Sequence, residues 1–176
     1  MPEGQALVLG GGGVAGIAWM TGALAGLADA GQDVTGADLL VGTSAGAAVA
    51  AQVSSGLPLD ALVAASCAVP GIWPPVSIGG CRYVDGGIRS SDNADLAAGY
   101  ARIVVLSPLG LNSPFPQPVP LRDAVERLRS DGSQVTVIAP DEASVAALGI
   151  NPLDPATRVP AAQAGRSQGR AGARLG

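Results

Sequence analysis

Ser44 stands in Gly42-Thr43-Ser44-Ala45-Gly46, the G-x-S-x-G spacing that sets a serine on a tight turn from a strand into a helix. Glycines are needed on both sides because side chains there would collide. The turn lifts the hydroxyl clear and leaves it at a helix N-terminus, where negative charge is favoured. A serine hydroxyl is a poor nucleophile until a base takes its proton. The chain has no histidine, so a Ser-His-Asp triad is impossible, and the base must be a carboxylate or the motif is idle. Asp85 is the candidate, in Asp85-Gly86-Gly87 directly after Arg82-Tyr83-Val84. By itself an Asp-Gly pair reads only as a turn. An aspartate in water is a feeble base, so the role asks that Asp85 be partly withdrawn from solvent.

Acyl transfer also needs donors for the charge that develops on the carbonyl oxygen. The run Gly10-Gly11-Gly12-Gly13 offers backbone N–H groups unobstructed by side chains, with Gly11, Gly12 and Gly13 as the candidate oxyanion loop. The same residues, Gly11 to Gly16, also fit G-x-G-x-x-G, the dinucleotide-binding fingerprint. That fingerprint wants an acidic residue at the end of the second strand. Here the strand begins with Asp38 and runs into Gly42-Thr43-Ser44, so the dinucleotide reading ranks below the acyl-transfer one.

Elements able to position these residues are visible in the apolar pattern. Ala6 to Leu9, Asp38 to Gly42, Ile103 to Leu106 and Val135 to Ile138 are short solid apolar runs, as expected of strands buried on both faces. Ile17, Met20, Leu24 and Leu27 recur at helical spacing, stopped by Ala30-Gly31. Further helices are expected from Ser44 to about Val53, from Leu59 to Val69, and from Leu121 to Arg129. A short one should be capped by Asp92 or Asn93. Val76–Ile78 and Arg82–Val84 read as short strands joined by Gly79-Gly80. Pro114, Pro116, Pro118 and Pro120 mark a stiff connector. Alternating strands and helices predict an α/β fold: three layers, α/β/α, around a mostly parallel sheet. Residues 1–154 form the single domain of this reading, with 155–176 as a C-terminal helix or tail.

Three glycine-dressed elements thus stand at strand ends in the order oxyanion loop, nucleophile, aspartate. In order and composition they resemble the patatin-like phospholipase family, whose signature is G-G-G-x-x-G, G-x-S-x-G and D-G-G or D-G-A. Gly16, Gly42, Gly46, Gly86 and Gly87 are the supporting glycines of those motifs here. The stretch from Ala65 to Val76 is similar to the family's A-S-x-A-x-P-x-x-F-P-P-V segment, and Arg89, Asn93, Asp95 and Leu96 are similar to the residues just beyond its aspartate. The resemblance implies a Ser44–Asp85 dyad, cleavage of acyl lipids or simple carboxylic esters through an acyl-enzyme, and no cofactor or metal. Two departures stand out. Ala15 occupies a place where the family often has Arg or Lys, and only about a dozen residues, 53–63, separate segments that family members hold far apart. Apolar surface left by so short a middle can be covered by a second copy of the chain, so a homodimer is expected.

Composition narrows the partners. Of 176 residues, 48% are hydrophobic and 14% charged, and the net charge is −4 with no basic block before the tail. A nucleic-acid partner is therefore not expected. No amphipathic basic face is visible to hold a bilayer, so small, soluble or short-chain esters are expected ahead of packed membrane lipid. Trp19, Trp73, Pro74 and Pro75 are available to line an acyl pocket, although such residues more often sit in a core. Cys67 and Cys81, with neither a CxxC pattern nor a histidine, read as buried small hydrophobes. No positive charge precedes the first apolar run, which points to a cytoplasmic protein. A non-catalytic, patatin-shaped scaffold or acyl-binding module is the competing reading from a different class.

Overall fold

The computed structural model describes residues 3–54, 66–112 and 116–172. Four apolar runs form one parallel sheet: β1 (Gln5–Leu9), β2 (Leu39–Gly42), β5 (Arg102–Leu106) and β6 (Gln134–Ile138), in the order β2-β1-β5-β6. β1 is central, with Leu7 opposite Leu40 on one side and Val104 on the other. Alternation of side chains along each strand builds two cores. Leu7, Leu9, Val104 and Leu106 face Trp19, Met20, Leu27 and Val49 on one side. Ala6, Val8, Ile103 and Val105 face Leu121, Val125 and Leu128 on the other. The first layer holds α1 (Gly13–Asp29), α2 (Ala45–Val53) and α5 (Arg158–Ala171); the second holds α3 (Leu121–Ser130) and a 3-10 turn, Ala94–Ala97.

The C-terminal segment is an integral helix. Gly22 and Gly26 of α1 meet Gly165 and Gly169 of α5 so closely that a Cβ on Gly22 would lie 2.1 Å from the Ala162 carbonyl oxygen, and one on Gly169 2.4 Å from that of Ala23. Trp19 is fully buried there, its Nε1–H donating to Gln168 Oε1 at 3.2 Å. It belongs to the core. Arg166 and Arg170 both donate to the Asp29 carboxylate at the far end of α1, and hold it down to about 2.

A short helix, α4 (Glu142–Leu148), comes after β6; Asp141 caps it by accepting the Ser144 N–H at 2.8 Å, and Gly149 ends it at φ +67°. β3 (Val76–Ile78) and β4 (Cys81–Tyr83) form an antiparallel hairpin of their own. Gly79 and Gly80 turn it at φ +56° and +82°, backbone that suits glycine best. Neither cysteine is a core residue: Cys67 is half-buried and Cys81 exposed. Most of the helix expected over Leu59 to Val69, and part of the proline connector, lie outside the described residues. Among the described residues no helix is long and apolar enough to cross a membrane.

Candidate active site

β2 ends at Gly42 and α2 begins at Ala45, so Thr43 and Ser44 alone make the turn, with Ser44 at its head. Its φ of 51° and ψ of −114° lie where a residue with a side chain rarely sits, and such strain costs about 1–3 kcal/mol. Both neighbouring glycines are sterically required. A Cβ on Gly42 would lie 2.7 Å from Ala47 Cα, and one on Gly46 only 1.9 Å from the Leu9 carbonyl oxygen. The Ser44 N–H donates to Ser66 Oγ at 2.9 Å, which ties the elbow to the segment leading to the aspartate.

Asp85 is buried although its neighbours Tyr83, Val84 and Ile88 are exposed. Its Oδ1 accepts the Gly87 N–H at 2.7 Å and so caps the 3-10 turn Gly86–Ile88, while its own N–H donates to the Ala68 carbonyl at 3.0 Å. Oδ2 is buried without a partner among the described residues. That is a costly condition for a carboxylate oxygen, and one that a site awaiting a proton or a substrate can explain. Ser44 and Asp85 line one cavity of about 440 Å³. Among the described residues no hydrogen bond joins the Ser44 hydroxyl to the Asp85 carboxylate. Cys67 stands beside both: burial pushes its thiol up, the Asp85 charge adds to this, and the Ser44 hydroxyl opposes it.

The glycine loop divides its three candidates. Gly11 lines the cavity, but its N–H donates to the Ser91 carbonyl at 2.7 Å and is not available to an oxyanion. Gly12 lines the cavity with an N–H that has no acceptor among the described residues. Gly13 opens α1 at φ +61°, where a Cβ would lie 2.5 Å from the Pro152 carbonyl oxygen. Its N–H also lacks an acceptor among the described residues, as does that of Ala45, the residue after the nucleophile. Gly16 backs the loop, a Cβ there meeting Pro108 at 3.3 Å; a Cβ on Gly87 would crowd Asp85 Oδ1 at 2.9 Å, and one on Gly86 would meet Asn93 Nδ2 at 3.4 Å.

Several polar residues around the site have partners that no local pattern announces, although Arg89, Asn93 and Asp95 fall in the stretch whose sequence resembles the family beyond Asp85. Asn93, in the left-handed region at φ 51°, precedes the turn that the sequence predicts it to cap, but its side chain makes no capping bond. Its Nδ2 donates instead to Thr43 Oγ1 at 3.0 Å and to the Ser90 and Gly86 carbonyls at 2.9 and 3.3 Å, binding the elbow to the aspartate loop. Arg89 donates to Asn93 Oδ1 at 2.7 Å and pairs with Asp95, fixing the amide's orientation. Gln117 lines the cavity and accepts from the Ser91 N–H at 3.1 Å. Trp73, Pro74 and Pro75, available on sequence for an acyl pocket, are exposed and do not line this cavity.

Residues 57–98 match the family model of Patatin-like phospholipase, a stretch that contains Asp85 but not Ser44. No curated protein matches the chain. The parallel α/β sheet with helices on both faces is consistent with a small fold of the patatin-like type. Over residues 57–98, therefore, the chain is similar to the patatin-like phospholipases.

Proposed function

We propose that the protein is a serine hydrolase of carboxylic esters working through a Ser44–Asp85 dyad. Asp85 Oδ2 takes the hydroxyl proton of Ser44 as Oγ attacks the ester carbonyl. The N–H groups of Gly12 and Gly13, with that of Ala45 at the head of α2, receive the oxyanion. Asp85 passes that proton to the departing alkoxide, which leaves as the alcohol; it then takes a proton from the water that attacks the acyl-serine and returns it to Ser44 Oγ as the acid leaves. The observation that carries this reading is Asp85 Oδ2, buried and without a partner among the described residues, on the wall of the cavity that also holds the strained Ser44. Soluble esters are the favoured substrates. A homodimer belongs to the same proposal, supported by the exposed Ile72, Trp73, Tyr83, Val84 and Ile88.

Hydrolysis of p-nitrophenyl esters by the parent, Ser44→Ala and Asp85→Ala tests it. Both variants are expected to lose about a thousand-fold or more in kcat while remaining folded by circular dichroism. Retained activity in either folded variant would remove that residue from the mechanism.

A further inference from the structure

A second cavity, of about 370 Å³, adjoins the Ser44 cavity, and Gly12 and Leu109 line both. The rest of its wall includes Ala15, Pro108, Val145, Leu148 and Ile150, with no charged side chain among the described residues. Its place in the fold is not incidental. The helix after β1 packs on one face of the sheet and the helix after β5 on the other, while β1 and β5 are neighbours. The crevice outside the carboxyl ends of two such strands is where parallel sheets bind ligands. Gly12 and Pro108, which come after those two strands, meet there; a Cβ on Gly12 would lie 2.7 Å from Pro108 Cβ.

The outer wall is fastened to the glycine loop, because Ala15 N–H donates to the Pro152 carbonyl at 3.1 Å. It nevertheless shows solvent large apolar side chains that the fold does not use: Val145 is 58% exposed and Ile150 104%. Ala15, buried in the first turn of α1, keeps the inner end open by its small size. An ester carbonyl whose oxygen sits on the Gly12 N–H has its acyl chain next to the one boundary that the two cavities share.

We infer that the cavity between Gly12 and α4 is the acyl-chain site, taking an unbranched medium-length hydrocarbon chain from an ester whose carbonyl is held at Ser44. This rests on the hydrolase reading above and carries it from short esters to longer acyl groups. Each methylene buried in such a site gains about four-fold in kcat/KM.

The test compares p-nitrophenyl acetate, butyrate, octanoate and laurate on the parent, Val145→Glu, Ile150→Glu and, as an exposed control at the opposite end of the sheet, Gln134→Glu. The octanoate-to-acetate ratio of kcat/KM is expected to fall at least ten-fold in the first two variants and to hold in Gln134→Glu. An unchanged ratio in both variants overturns the inference, as does a change in oligomeric mass without a change in ratio, which would make the patch a subunit contact. Binding of cis-parinaric acid to Ser44→Ala, read by fluorescence, separates this inference from the catalytic one. Probe bound and displaced by octanoate, but lost on adding Val145→Glu, supports the chain site even if no ester is hydrolysed. No binding to Ser44→Ala overturns it even if acetate is hydrolysed.

Discussion

Asp92 lies buried against the glycine loop, where a Cβ on Gly10 would come within 2.2 Å of its Oδ1, and that oxygen has no hydrogen-bond partner among the described residues. Burial pushes its carboxyl up to about 6, against the opposing hydroxyls of Ser107 and Ser91. The folded chain therefore holds this proton to higher pH than the unfolded chain does. Between about pH 4 and 6 the folded state binds more protons, so stability falls as pH rises through that window and levels off above it. Asp92→Asn is expected to flatten that slope and to be more stable than the parent at pH 7 by on the order of 2 kcal/mol, as measured by urea unfolding across pH. Parallel slopes in the two proteins would contradict the assignment. The turns that carry Ser44 and Asp85 are legible in the sequence because their glycines are local. Asn93 and Asp92 are not: each reads equally well as a helix cap, and the role of each is set by partners such as Thr43 and Gly10, remote in sequence. Gly11 fails as a donor for the same reason, since Ser91 takes its N–H.

The α1–α5 pair is held by glycines that let the two backbones touch, and a single methyl is enough to part them. Gly165→Ala places a Cβ 2.3 Å from the Trp19 carbonyl oxygen. Such overpacking is expected to cost about 1–3 kcal/mol and to lower the Tm by several degrees. Gly36→Ala, with no heavy atom within 4 Å of the added carbon, should leave the Tm in place. An unaffected Tm in Gly165→Ala would show that the helices do not pack this closely. In the sequence the four strands and α1 announce themselves by solid apolar runs and a helical period. α5 does not, because its contact face is made of Gly and Ala and carries almost no hydrophobic signal. α4 has a readable signal in its Asp141 cap and Gly149 stop, but it is too short to establish a period of its own.

Over the whole molecule, one parallel sheet brings the glycine loop, the elbow and Pro108 together at its carboxyl edge, and the chain returns after α4 to wall off the second cavity. The hairpin side is left with Ile72, Trp73, Tyr83, Val84 and Ile88 in solvent. In the proposed homodimer a second copy covers them. Light scattering is then expected to give twice the chain mass, and Trp73→Asp to shift it to the monomer; a monomeric parent would contradict the dimer. The cavity walls cannot be read from local sequence, since they combine residues from stretches far apart along the chain. The central claim is that Ser44 is an activated nucleophile, and labelling by a fluorophosphonate with mass spectrometric mapping tests it most directly. The account predicts one adduct, on Ser44, abolished in Ser44→Ala and strongly slowed in Asp85→Ala. A folded parent that takes up no label on Ser44 would contradict it and leave a patatin-shaped scaffold without catalysis.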